Sequence, residues 1–202
     1  MKLYAPGEPI GALDVRGQTA DPTDTGTSFA TPHAAFAAAL LESLGDEVGG
    51  PSASAIRGRL RLSTWSLADE AYPEAGVIDL VKVAAALHNV VETREFSNGK
   101  WVLKNYVGKI TDGLQNICAK SLSPSAYQAV RLYPATDGVR RVVRYKRDVG
   151  DLDSELLWND SWCRPSGDIT LRLIDGTMKS LALEDVSLVL LSWSPNWSLP
   201  TS

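Results

Sequence analysis

Gly26-Thr27-Ser28-Phe29-Ala30-Thr31-Pro32-His33, running straight into the apolar stretch Ala34 to Leu41, is the part of the chain best suited to chemistry. A serine set between small residues at the mouth of an Ala-rich helix can act as a nucleophile. The start of such a helix leaves backbone N–H groups without intrahelical partners and carries the positive end of the macrodipole. An oxyanion forming over the serine is therefore stabilised there. Gly26 permits a tight turn into the helix. Pro32 is accommodated only near the first helical turn, which places the helix start close to Ser28. An ordinary core helix with a serine N-cap would also use Ser28, but it would leave the rest of the string unexplained.

The string fits the pattern G-T-S-x-A-[ST]-P-H followed by small apolar residues at every position, and so resembles the serine motif of the subtilisin-like serine proteases (subtilases). Upstream, Tyr4-Ala5-Pro6-Gly7 resembles the A-P-G segment that precedes the serine loop in that family. Downstream, Gly76-Val77-Ile78-Asp79 with Ala84 to Ala86 resembles its closing helix, so the likeness covers about residues 3–88. It implies peptide-bond hydrolysis through a Ser28 acyl-enzyme, with the Ser28 backbone N–H as one arm of the oxyanion hole. Gly26, Thr27, Ala30, Thr31, Pro32 and His33 frame the motif. No cofactor and no metal is implied.

The same resemblance requires an Asp and a His upstream of the serine, in the chain order Asp, His, Ser. No D-[ST]-G or H-G-T segment occurs in the sequence, and its only histidines are His33 and His88. His33 lies five positions beyond Ser28, which on a helix is about 500°, or roughly 140° round the axis, so it faces away from the hydroxyl. His88 falls at the far end of an expected helix and reads as an ordinary half-exposed histidine. The Asp, the His and the oxyanion-hole amide are thus expected from a separate or processed polypeptide. Because triad members act as a unit, the chain alone is expected to be close to inactive.

Composition narrows the field. With 202 residues and 44% hydrophobic content, the chain suits one or two domains with a sizeable core. A net charge of −4 points to no nucleic-acid partner. The basic cluster Arg140-Arg141, Arg144, Lys146-Arg147 alternates with Val142, Val143 and Tyr145, as the wet face of a strand would. No stretch is long enough to cross a bilayer and no membrane partner is expected. Met1 to Ile10 lacks the apolar region of a signal peptide, which tilts the expected location toward the cytoplasm. Cys118 and Cys163 show no C-x-x-C spacing, which argues against a metal site and leaves their pairing open.

The elements that must position the serine follow from periodicity. Lys2 to Ile10 starts extended, and residues 11–25 read as a surface loop. A first helix is expected from about Ser28 to Leu44, with so little polar face that it should be buried on most sides. After Gly49-Gly50-Pro51, Ser52 or Ser54 can cap a second helix, with Ile56, Leu60 and Leu62 inward and Arg57, Arg59 and Arg61 on a solvated face. Asp79 caps a third, in which Leu80, Val83, Ala84 and Leu87 pack. From about Val91 strands take over. Asn98-Gly99 marks a turn before Trp101-Val102-Leu103, a short helix is expected near Ser125 to Tyr133, and Val139 to Arg147 alternates. Asp175-Gly176 joins Ile169–Ile174 to Thr177–Leu183 as a two-residue hairpin, and Val186 to Trp193 reads as a strand buried on both faces. Asp168 and Asp175 belong to turns, not to catalysis. Trp158, Trp162, Trp193 and Trp197 read as core, with a peptide groove as the other reading.

The sequence thus predicts an α/β chain: residues 1–90 as the C-terminal portion of a subtilisin-like domain, and 91–202 as a small antiparallel β-rich domain. Its function is read as part of a serine endopeptidase acting on a peptide or protein. The alternative is an inactive subtilase remnant that serves as a protein-interaction module through its β-rich domain.

Overall fold

A computed structural model describes residues 3–4, 27–44, 53–66, 76–117, 128–147 and 156–193. The chain is mixed α/β and dominated by antiparallel sheet. It divides into two compact units, Met1–Val83 and Ala84–Ser202.

The first unit holds β1 (Leu3–Tyr4), α1 (Thr27–Glu42), α2 (Ala53–Leu62), β2 (Thr64–Ser66) and β3 (Gly76–Ile78), and α3 (Leu80–Ala84) spans its end. β3 is the central strand of a three-stranded sheet, parallel to β1 with Leu3 beside Gly76, and antiparallel to β2 with Ser66 beside Gly76. Only glycine fits at position 76, because a Cβ there would collide with the Trp65 carbonyl and the Thr64 side chain. Asp79 caps α3 as its type suggests: Oδ1 accepts the backbone N–H groups of Val81 at 2.9 Å and Lys82 at 3.4 Å.

Four expectations about the helices are corrected. Pro32 is the sixth residue of α1, one turn deeper than the first-turn rule allows, so the Ser28 carbonyl has no N–H at position 32 to accept from. Along α1, Ala37 and Leu41 are fully buried, but Pro32, Ala35, Phe36 and Ala39 form an exposed stripe at i, i+3, i+4 and i+7. The arginines of α2 do not share one solvated face. Arg59 is buried because it stands three residues from both Ile56 and Leu62, at the middle of the apolar face, whereas Arg57, about 160° away, is exposed. α3 also stops at Ala84, so Leu87 is off its face and exposed, as are Leu80 and Ala84, and Val83 alone of the expected stripe is buried.

The second unit is one eight-stranded antiparallel sheet made of β4 (Asn89–Ser97), β5 (Lys100–Asp112), β6 (Ala129–Leu132), β7 (Arg140–Arg147), β8 (Leu156–Cys163), β9 (Asp168–Leu173), β10 (Met178–Ala182) and β11 (Val186–Leu190). The order is β10-β9-β5-β4-β11-β6-β7-β8. Val91, Val130, Leu132, Val142 and Val189 share a single core with Ile169, Leu171 and Leu181 from the far end of the order, so the sheet curls over on itself. A hairpin forms around Asp175-Gly176, but the expected two-residue loop is corrected: Met178 faces Arg172 and the Leu173 N–H bonds the Thr177 carbonyl, so the loop is Ile174, Asp175 and Gly176. Every residue of β11 is buried. The expected helix near Ser125 to Tyr133 is corrected where it is described: Ala129–Leu132 is β6, a run of residues buried on both faces that periodicity cannot separate from a buried helix. Its first half lies outside the described residues.

Arg140 and Arg144 overturn the expected wet face of β7, since both are buried on the core side beside Val142. Arg140 acts as a clamp across the curl. Nε donates to the Tyr133 carbonyl (2.7 Å), Nη2 to the Leu132 carbonyl (2.8 Å), and Nη1 to the carbonyls of Leu183 (2.9 Å) and Glu184 (3.2 Å). Burial lowers its pKa to about 10. Cys163 is disulfide-bonded, and the sequence has one other cysteine, Cys118.

Candidate functional site

α1 carries the serine motif. Thr27 is its first residue and Ser28 its second, so the Ser28 backbone N–H belongs to the first helical turn, where amides lack intrahelical acceptors. The side chains of Thr27, Ser28 and Phe29, and the whole of Gly26, lie outside the described residues. Ala30 and His33 are half-buried, and Thr31 and Pro32 are exposed. No acidic residue occupies the first turn of α1, so its positive end is not neutralised from within the helix.

The helix geometry keeps His33 on the side away from Ser28. His88 is exposed in the turn after α3, in the other unit, where its N–H bonds the Ala85 carbonyl at 2.9 Å. Among the described residues no group of His, Cys, Asp and Glu could hold a metal ion. Asp175 is occupied with its own turn, its Oδ1 accepting the backbone N–H (2.9 Å) and hydroxyl (2.7 Å) of Thr177. Those bonds, the backbone one first, hold its carboxyl below the usual range. Asp168 accepts the Ser180 hydroxyl at 2.9 Å across β9 and β10. Trp193 is buried and Trp162 exposed; the Trp158 side chain and Trp197 lie outside the described residues.

Two constellations escape the sequence reading. In the first unit, the Asp79 carboxylate accepts the Trp65 indole N–H and lies 3.5 Å from Lys82 Nζ, which also donates to the Thr64 carbonyl at 3.0 Å. In the second, Phe96 and Trp101 meet edge to face on the β4–β5 hairpin with centroids 5.3 Å apart, each 64% exposed, and the Arg94 guanidinium lies 5.5 Å from the Trp101 ring. An Asp directly after a β strand and a Trp in a hairpin are both commonplace, so residue type alone singles out neither grouping. The hairpin signal was nevertheless present in the Asn98-Gly99 turn with aromatics on either side.

No family model, no curated protein and no solved structure matches the chain. The subtilase likeness therefore rests on the residues of the motif and its flanks.

Proposed function

We propose that this chain is the serine-bearing part of a subtilisin-like serine endopeptidase, with Asp, His and the oxyanion-hole amide supplied from outside residues 1–202, by another polypeptide or by an upstream segment. The observation that carries this reading is the full eight-residue string from Gly26 to His33, and it is supported by Ser28 standing in the first turn of α1. In that reading Ser28 Oγ attacks the scissile carbonyl while the partner's histidine takes its proton. The Ser28 amide and the positive helix end stabilise the oxyanion, the amine leaves with a proton from the histidine, and water then hydrolyses the Ser28 ester.

The test is fluorophosphonate labelling followed by peptide mass spectrometry. The pure chain should label no faster than its Ser28→Ala variant, and co-expression with a subtilisin-like segment carrying D-[ST]-G and H-G-T motifs should turn Ser28 labelling on. Rapid labelling of the pure chain would mean a base within it, with His88 the first suspect. A stable complex that leaves Ser28 inert would overturn the protease reading.

A second reading is favoured by the exposed Phe96–Trp101 pair: a catalytically inactive subtilase remnant whose β-rich unit is a protein-interaction module.

A further inference from the structure

Unlike the rest of its sheet, the tip of the β4–β5 hairpin has no flanking strand among the described residues. β9 begins to pair with β5 only at Gly108, and β11 reaches β4 only as far as Thr93, with one more bond from the Arg94 N–H to the Asp185 carbonyl. Residues beyond these points form a two-stranded ribbon closed by Asn98 (φ 50°) and Gly99 (φ 75°), the positive-φ pair that a two-residue hairpin turn requires.

The phase of the ladder shows which groups are free. In a two-residue hairpin Ser97 and Lys100 form the hydrogen-bonded pair, so Phe96–Trp101 and Arg94–Leu103 are non-bonded pairs whose N–H and C=O groups point outward. The outward bond from Ile174 N–H to the Val107 carbonyl (3.3 Å) and that from Arg94 N–H confirm the phase. Trp101 and Leu103 thus present backbone donors and acceptors along an open edge. Their side chains lie on one face with Phe96, and Lys100, Val102 and Lys104 lie on the other. All six are exposed.

We propose that the open edge of β5 at Lys100–Lys104 takes up an extended peptide in which acidic and apolar residues alternate, adding it as a further strand. Backbone bonds to Trp101 and Leu103 supply the pairing. Apolar residues of the peptide cover Trp101 and Leu103, and its carboxylates meet Lys100 and Lys104. Charge selects this occupant over a second copy of the chain. Antiparallel self-pairing about Leu103 would gather Lys100 and Lys104 from both copies, four lysines against two Glu95, on one face.

The inference is independent of Ser28, so the Ser28→Ala variant should bind as the parent does whatever becomes of the protease reading. The test is calorimetry of the full 202-residue chain with a synthetic nonapeptide of alternating Glu and Val. Its controls are the Lys/Val counterpart and an analogue N-methylated at alternate residues. Saturable binding of the Glu/Val peptide is expected, at least about tenfold weaker for Lys100→Glu/Lys104→Glu, and lost for the N-methylated analogue and for Leu103→Pro, which removes an outward N–H without touching the β4 ladder. Should Leu103→Pro fail to fold, the N-methylated peptide reads the same hydrogen bonds from the other side. Equal binding of the Lys/Val peptide, indifference to N-methylation, or no saturation up to about 1 mM, which corresponds to roughly −4 kcal/mol, would overturn the proposal. So would binding to phosphatidylserine vesicles through Trp101 in place of the peptide, which would make the ribbon a lipid-surface element.

Discussion

Asp79 and Lys82 form a buried ion pair, 3.5 Å apart, at the start of α3, and the carboxylate that neutralises the ammonium also caps the helix and holds the Trp65 indole. One aspartate thereby ties β2, β3 and α3 together. A lone charge left in such a place is costly, because neither partner can regain its water.

Lys82→Ala should therefore cost about 3–5 kcal/mol of unfolding free energy, as breaking a buried pair from one side does. The double variant Asp79→Asn/Lys82→Met should recover a large part of that loss, since no charge remains buried. Urea unfolding followed by tryptophan fluorescence checks both, and a double variant as unstable as Lys82→Ala would mean that the pair matters through packing and not through charge.

Arg59 gives the opposite sign. Burial lowers its pKa to about 9, far below the ordinary guanidinium range, so the folded state binds this proton less tightly than the unfolded chain does. Its charge opposes folding fully below pH 9, and the penalty fades as pH rises above about 9 toward the ordinary guanidinium range. Arg59→Met should thus be neutral to stabilising by about 1–4 kcal/mol at pH 7, with the gap to the parent narrowing at pH 10. Denaturant midpoints of the two proteins at both pH values decide it. A gap that widens with pH would show that Arg59 contributes more through its hydrogen bonds than it costs through burial.

The disulfide at Cys163 should stabilise the second unit. Cys163 packs against the core of the curled sheet, and removing a bridge from a small domain typically costs about 2–5 kcal/mol. Cys163→Ser should lower the melting temperature, and a reductant should lower that of the parent but leave the variant unmoved. A parent melt indifferent to reductant would show the bridge to be without weight.

What the sequence made legible was whatever depends on local chemistry. The Asp175-Gly176 and Asn98-Gly99 turns, the Asp79 cap and the span of α1 all follow from residues within a few positions of one another. What it hid depends on who the neighbours are. Arg140 and Arg144 alternate with apolar residues like a solvated strand, yet carbonyls from Leu183 and Glu184, some 40 residues away, supply the acceptors that let Arg140 go inside. Arg57, Arg59 and Arg61 alternate at period 2, which is not the period of a helix, so their spacing does not put Arg59 on the face of Arg57. At the serine, the motif states the chemistry by residue type alone, and the backbone adds only the helical turn on which Ser28 stands.

Phe36 is 60% exposed, and Pro32, Ala35 and Ala39 extend its apolar surface along the same face that begins one turn from Ser28. Covering a large apolar side chain stabilises by about 1.5–3 kcal/mol, which against a typical domain stability of about 5–15 kcal/mol is a substantial term to leave unused. Under the proposed function this face is where the polypeptide bearing Asp and His would pack, because a serine at a helix mouth can be completed only by groups brought alongside that helix. Phe36→Glu should then leave the secondary structure of the chain intact by circular dichroism yet abolish co-purification with the Asp/His segment. Light scattering after size exclusion should find the unpartnered parent self-associating and the variant less so. A parent chain that is a well-behaved monomer with cooperative unfolding, and that ignores the segment, would defeat the idea that α1 awaits a partner.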